Sequence, residues 1–213
     1  MSNRQKDDSH EKLINDFLMK HFFSKNYSNV EVVRDKQRQI AGIDFVAGGK
    51  YIDVKAQSSK KYINNPTNTF SMEISFILSK GGEPTLVDGW FVNPSIKTEQ
   101  YAFVWIRDAI VGVDGYIHHI EDIHEVEVMV VDRKSLKEEI FNSLGEDNIY
   151  TMDDTLRDEV DFNQYDINKS VHSRIVGNYK MSLSYRLMEM PVNIIVPKHI
   201  LNKHAVKHCI IKV

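Results

Sequence analysis

The chain has 213 residues, 42% hydrophobic and 27% charged, a composition that lets one globular core of ordinary size form without staples. Its one cysteine, Cys209, excludes an intramolecular disulfide and a cysteine metal cluster. The polar start MSNRQKDDSHEK is no secretory signal, and no apolar run is long enough to span a bilayer, so a reducing, cytoplasmic setting is expected. The formal charge of −3 is unevenly spread: residues 121–166 hold fifteen Asp+Glu against four Lys+Arg, a local −11 that leaves +8 for the remainder. That asymmetry permits a basic working surface beside an acidic appendage.

In chain order, Ser9 is placed to cap a helix over about 10–24, with Leu13, Phe17 and Met19 or Phe23 near one face. Glu11 falls in its first turn, where a carboxylate complements the helix dipole. The next stretch, VEVVRDKQRQI, reads as extended, with Arg34, Lys36 and Arg38 sharing one parity. A hairpin follows, with strands near 42–46 and 51–57 and a turn at Gly48–Gly49. FSMEISFIL (70–78) predicts a third strand, YAFVWI (101–106) a strand buried on both faces, and VEVMVV (126–131) another, while 80–100 is loop-rich.

SLKEEIFNSLG predicts a helix starting at Ser135 and stopping at Gly145. Residues 146–180 are polar and acidic, with a short helix after Thr151. Met181, Leu183, Tyr185 and Leu187 then alternate as a half-buried strand; NIIVP, a short helix near KHILNKHAV, and CIIKV close the chain. The expected class is α/β or α+β: a mixed β-sheet flanked by helices, one domain over 1–213, with a peripheral acidic excursion at about 121–180.

Strand parity organises the stretch GIDFVAGGKYIDVKAQ (42–57). Tyr51, Asp53, Lys55 and Gln57 share one face, while Ile52, Val54 and Ala56 share the other. The hairpin brings Asp44 alongside. Two carboxylates this close repel unless a cation lies between them, and such oxygen donors suit Mg²⁺ or Mn²⁺. A neighbouring lysine can orient or deprotonate water and offset charge on a phosphoryl transition state. The same D…DxK pattern also fits a solvated strand with a weak surface ion pair. The hairpin, the aliphatic opposite face and the helix–strand–strand–strand order favour a site.

Glu11 on the opening helix, Asp44 in GIDF and Asp53-Val54-Lys55 in YIDVKAQ resemble the motif of the PD-(D/E)XK nuclease superfamily, over about residues 9–80. Ile43 stands where the motif nominally has proline, and the second acid is Asp rather than the frequent Glu. The resemblance implies a restriction-endonuclease-like fold and metal-dependent hydrolysis of DNA. It implies metal binding by Asp44, Asp53 and the backbone of Val54, with Glu11 as a further ligand, catalysis by Lys55, and support from Gln57. The alternative it leaves open is a catalytically inactive nuclease-fold module that binds nucleic acid or serves assembly. Lys60, Lys61, Arg34, Lys36 and Arg38 are the expected phosphate contacts; the expected partner is DNA, not a membrane, and a homodimer is compatible. His118, His119 and His124 stand amid acidic residues, but nothing in their spacing fixes a zinc geometry.

Overall fold

The computed structural model describes residues 3–79, 82–160 and 171–213, with side chains from Ser9 onward. It is mixed α+β and carries two sheets, six-stranded and five-stranded, where one mixed sheet was expected. The chain divides into two compact units, each discontinuous in sequence: 1–68 with 97–133 and 201–213, and 69–96 with 134–200. Lys+Arg against Asp+Glu runs eighteen to sixteen in the first unit and nine to fourteen in the second, a net +2 and −5. No helix of the described residues is long and apolar enough to cross a membrane.

The first unit opens with α1 (Asn3–Leu18), a π-helical turn (Met19–Phe23) and the short α2 (Ser24–Asn26). Ser9 therefore lies inside a helix rather than capping it. The π turn has a sequence cause. Phe17–Leu18 and Phe22–Phe23 are all buried and lie five positions apart; a regular α-helix would set such positions about 140° apart around its axis. Bonding from i to i+5 brings them back onto one face.

That face packs on a sheet built from β1 (Glu31–Val32), β2 (Phe45–Ala47), β3 (Lys50–Gln57), β6 (Gln100–Ala109), β7 (Ile123–Asp132) and β11 (Ala205–Lys212). The strand order is β1-β2-β3-β6-β7-β11, antiparallel except where β3 runs parallel to β6. Ile52, Ala102, Val104, Ile106, Val126, Val128 and Val130 join Phe17, Phe22 and Phe23 in one core, with Val54, Ala56, Cys209 and Ile211 packed against it. Burying such a set supplies roughly 1.5–3 kcal/mol per large side chain.

The expected extended stretch before the hairpin is corrected. After the two residues of β1 the chain forms α3 (Lys36–Ile40), because Asp35 caps it by accepting from the Arg38 backbone N–H at 2.9 Å. Arg34, Lys36 and Arg38 therefore share no strand face.

The second unit is an antiparallel sheet in the order β5-β4-β10-β9-β8: β4 (Thr69–Leu78), β5 (Thr85–Asp88), β8 (His172–Val176), β9 (Tyr179–Leu183) and β10 (Val192–Pro197). Two helices belong with it, α4 (Arg133–Leu144) and α5 (Glu146–Asp158). Gly145, at φ +80°, separates them, its N–H donating to the Phe141 carbonyl at 2.8 Å. The expected stop at Gly145 is present, but α5 is longer than the short helix expected after Thr151. Its buried Ile149, Asp153 and Leu156 supply the helical period, and Arg157 binds Asp153 at 2.9 Å and the Ser75 hydroxyl at 2.6 Å. Part of the expected acidic excursion, 161–170, lies outside the described residues. A short α6 (Lys198–Lys203) connects β10 to β11.

Candidate functional site

The ladder between β2 and β3 runs out where Asp44 precedes β2. Asp44 donates its backbone N–H to the Ile52 carbonyl at 2.9 Å and accepts from the Val33 N–H at 2.8 Å, so its backbone is clamped on both sides. Its carboxylate continues the ladder as a side chain, Oδ2 accepting from the Val54 N–H at 2.8 Å. A backbone donor at the end of a pairing needs such a partner. Asp44 is thus both a strand-end clamp and a site residue.

Asp53 follows on β3, only 4% exposed, aligned with Tyr101 of the parallel β6. Lys55 lies two residues on, its Nζ 2.9 Å from Asp53 Oδ2 and its side chain 28% exposed. Burial pushes the Asp53 carboxyl up to about 7; the Lys55 ammonium opposes the shift, and the Asp44 carboxylate, close enough for the two to share a hydrogen bond, adds to it. For Lys55, burial acts downward but is outweighed by Asp53, Asp44 and Glu11, so its ammonium is held above the ordinary lysine range. Glu11, exposed on α1, thus lies within electrostatic reach of Lys55. Asp44, Asp53 and Lys55 form one cluster, and Glu11 approaches it from the helix.

Gln57 is buried on the same strand, but its amide is directed at Thr67. Its Nε2 donates to Thr67 Oγ1 at 2.8 Å, and the Thr67 N–H donates to Gln57 Oε1 at 2.9 Å. The Thr67 carbonyl also accepts from the Trp105 indole at 2.9 Å. Gln57 therefore pins the loop that follows β3. Val54 turns its side chain into the core and gives its N–H to Asp44.

Lys60 and Lys61 are exposed on that loop, Lys60 with its stem against the Gly115 backbone and Lys61 with its ammonium 5.3 Å from the Tyr62 ring centre. Arg34 and Lys36 are exposed around the start of α3, and Arg38 is paired with Glu31 at 2.5 Å.

Two residues at the site were not legible in the sequence. Tyr101, fully buried beside Asp53, accepts a hydrogen bond from Arg133 Nε at 2.9 Å. Burial raises the Tyr101 phenol well above its ordinary value; Arg133 opposes this and the Asp53 charge adds to it. The signal available was a polar-tipped Tyr opening an otherwise apolar run. Nothing local ties that run to Asp53 or to Arg133.

Among the described residues no group of three or more His, Cys, Asp or Glu side chains converges to hold a metal ion. His118 pairs with Asp114 at 3.0 Å and His124 with Asp108 at 3.4 Å. The donor set at Asp44 and Asp53 is nevertheless chemically suited to Mg²⁺ or Mn²⁺, which bind through one or two carboxylates and keep several waters. Burial is the largest cause of the raised Asp53 pKa, and the Asp44 carboxylate adds a smaller part. No family model matches the chain, and neither a curated protein nor a solved structure matches it.

Proposed function

We propose that the chain is a metal-dependent nuclease of restriction-endonuclease-like fold, hydrolysing DNA phosphodiester bonds. The observation that carries this reading is the buried pairing of Asp44 with Asp53, with the Lys55 ammonium 2.9 Å from the Asp53 carboxylate. Asp44, Asp53 and the Val54 carbonyl would hold Mg²⁺ or Mn²⁺, with Glu11 adding a carboxylate from α1. Such a cation supplies Lewis-acid polarisation of a phosphate oxygen and a lowered pKa for water.

Lys55 has the protein's own chemical role. Its pKa is raised, so it is an ammonium at neutral pH and acts as hydrogen-bond donor and counter-charge rather than as base. It orients the attacking water and offsets the charge that builds on the phosphoryl oxygens. Asp53 would hold the cation as the ionised carboxylate. Gln57 supports the site by fixing the loop bearing Lys60 and Lys61, which contact backbone phosphates.

Purified protein incubated with single-stranded, duplex and branched DNA is expected to yield Mg²⁺- or Mn²⁺-dependent, EDTA-sensitive cleavage. Asp53→Ala and Lys55→Ala should fold and lose at least about 10²-fold in rate, the scale of removing one transition-state donor. Equal cleavage by wild type and both variants would sink the reading. The second reading, a nuclease-fold module that binds without cutting, is favoured by one observation: no third acidic or His ligand converges with Asp44 and Asp53 among the described residues. It would appear as DNA binding that survives EDTA, with no product.

A further inference from the structure

We propose that Arg107 is a backbone-phosphate contact on the same sheet face as Asp53 and Lys55, offered outward by the buried carboxylate of Glu127. The inference deepens the nuclease reading and rests on it for the ligand. Arg107 stands at a bulge near the end of β6. Ile106 pairs with Val126 and Asp108 with Glu125, so Arg107 has no partner position on β7. An extra residue of this kind re-aims its side chain. Here the guanidinium reaches Glu127 of β7, whose side chain is only 2% exposed. Glu127 Oε2 accepts from Arg107 Nε at 2.8 Å and from Nη2, while Oε1 stands 2.6 Å from His208 Nε2 on β11.

A guanidinium has two edges that can each grip oxygens, one carrying Nε and one carrying both Nη groups. Glu127 takes the first. Among the described residues Arg107 bonds to no group but Glu127, and its side chain is 38% exposed, so the second edge is open to a ligand. Stability alone does not call for such a pair. Apolar side chains often serve a buried position as well as an ion pair does, and Met129 and Val131, further along β7 at the parity of Glu127, are buried and apolar. What the ion pair adds is a guanidinium plane fixed before any ligand arrives, which lowers the ordering cost of binding. A planar donor pair held in this way suits two oxygens of one phosphate.

Register puts this edge on the face of the candidate site. Gln57, at the parity of Asp53 and Lys55, is aligned with Trp105 of the parallel β6, and both bond to Thr67. Glu127 is aligned with Trp105, and Arg107 follows Trp105 by two residues. Lys55 is aligned with Phe103, four residues before Arg107, so the two cations are offset by about 13 Å along the strands at roughly 3.3 Å per residue. That offset spans a few backbone phosphates.

The test compares wild type with the double variant Arg107→Gln/Glu127→Gln, with Arg107→Lys and with Asp53→Asn on a labelled DNA duplex. Binding is measured against salt in EDTA, cleavage is followed in Mg²⁺, and each protein is melted. The double variant keeps the net charge and leaves no charge buried alone, so it is expected to fold. Its slope of log affinity against log salt should be shallower than wild type by about one. Arg107→Lys should show the same loss, because its ammonium sits on Glu127 and offers no second edge.

A folded double variant with the wild-type slope makes the pair purely structural and overturns the assignment; the nuclease reading then stands if Asp53→Asn abolishes cleavage. If the double variant does not fold, Arg107→Lys decides: an unchanged slope overturns the assignment and a slope shallower by about one upholds it. A wild type that binds without cutting sinks the nuclease reading, and the same slopes still decide on Arg107. If wild type does not bind DNA, both fall.

Discussion

Asp53 is a carboxyl that the fold prefers to keep protonated. Its folded pKa of about 7 lies above the unfolded value of 3.8, so the associated stability is fully present below about pH 4 and is lost as pH rises through 7. Metal-free protein should therefore melt lower at pH 7.5 than at pH 5. Asp53→Asn, which mimics the neutral carboxyl, should gain on wild type across that window. With Mg²⁺ the proton competes with the cation, so the rise in melting temperature caused by Mg²⁺ should grow with pH up to about 7 and then level off. A wild-type melting difference from Asp53→Asn that is flat between pH 4 and 7 would contradict the assignment. Parity along residues 51–57 is a local property that put Asp53 and Lys55 on one face in the sequence, where they meet at 2.9 Å, and the hairpin put Asp44 beside them. The aim of Gln57 was not legible, since Thr67 reaches it only by a loop closure. Tyr101 and Arg133 were hidden because the parallel pairing of β3 with β6 joins segments distant in the chain.

At the scale of elements, the latch between Gln57 and Thr67 is the clearest separation of support from chemistry. It fixes the chain leaving β3 through side-chain amide bonds to one residue's backbone and hydroxyl. Gln57→Ala should lower stability by about 1–3 kcal/mol, the usual range for leaving buried polar groups unsatisfied, and should speed hydrogen exchange at the Thr67 amide. The Mg²⁺-induced rise in melting temperature should persist, because the Gln57 amide is directed at Thr67. Loss of that rise with an unchanged Thr67 amide would place Gln57 on the cation instead. Elements were read well where period and punctuation agree, as at the Gly48–Gly49 turn, YAFVWI and the stop at Gly145. The stretch before the hairpin was misread because alternating basic residues imitate a strand, whereas the Asp35 cap, the stronger signal, closes a short helix. The α5 pattern was read too short because one of its inward positions is Asp153, a charge that becomes admissible inside only once Arg157 and Ser75 meet there.

For the molecule as a whole, the net −3 hides a unit of +2 that bears the candidate site and a unit of −5. If DNA is the partner, its affinity should fall steeply with salt despite the overall negative charge, since counterion release depends on local phosphate contacts rather than on the sum. Replacing Lys60 and Lys61 together by Gln should make that slope shallower by about two. Salt-independent binding would point away from backbone recognition. The class, mixed α+β, was readable from the order of helix and strand signals. The division into two sheets was not, because FSMEISFIL has the composition of any central strand and carries no mark of which sheet it joins.

The π turn at Met19–Phe23 has a consequence for the phase of the first helix. It locks the aromatic pair Phe22–Phe23 to the sheet and sets the rotation at which every residue before it meets that sheet. Deleting one residue there would restore α geometry with the two halves still in phase, whereas α geometry at the same length would turn the N-terminal half by about 100°. The apolar stripe of Ile14, Phe17 and Leu18 would leave the core, and Glu11 would swing out of line with Lys55. By absorbing one supernumerary residue, the π turn keeps the packing of a helix and the charge at its far end in register.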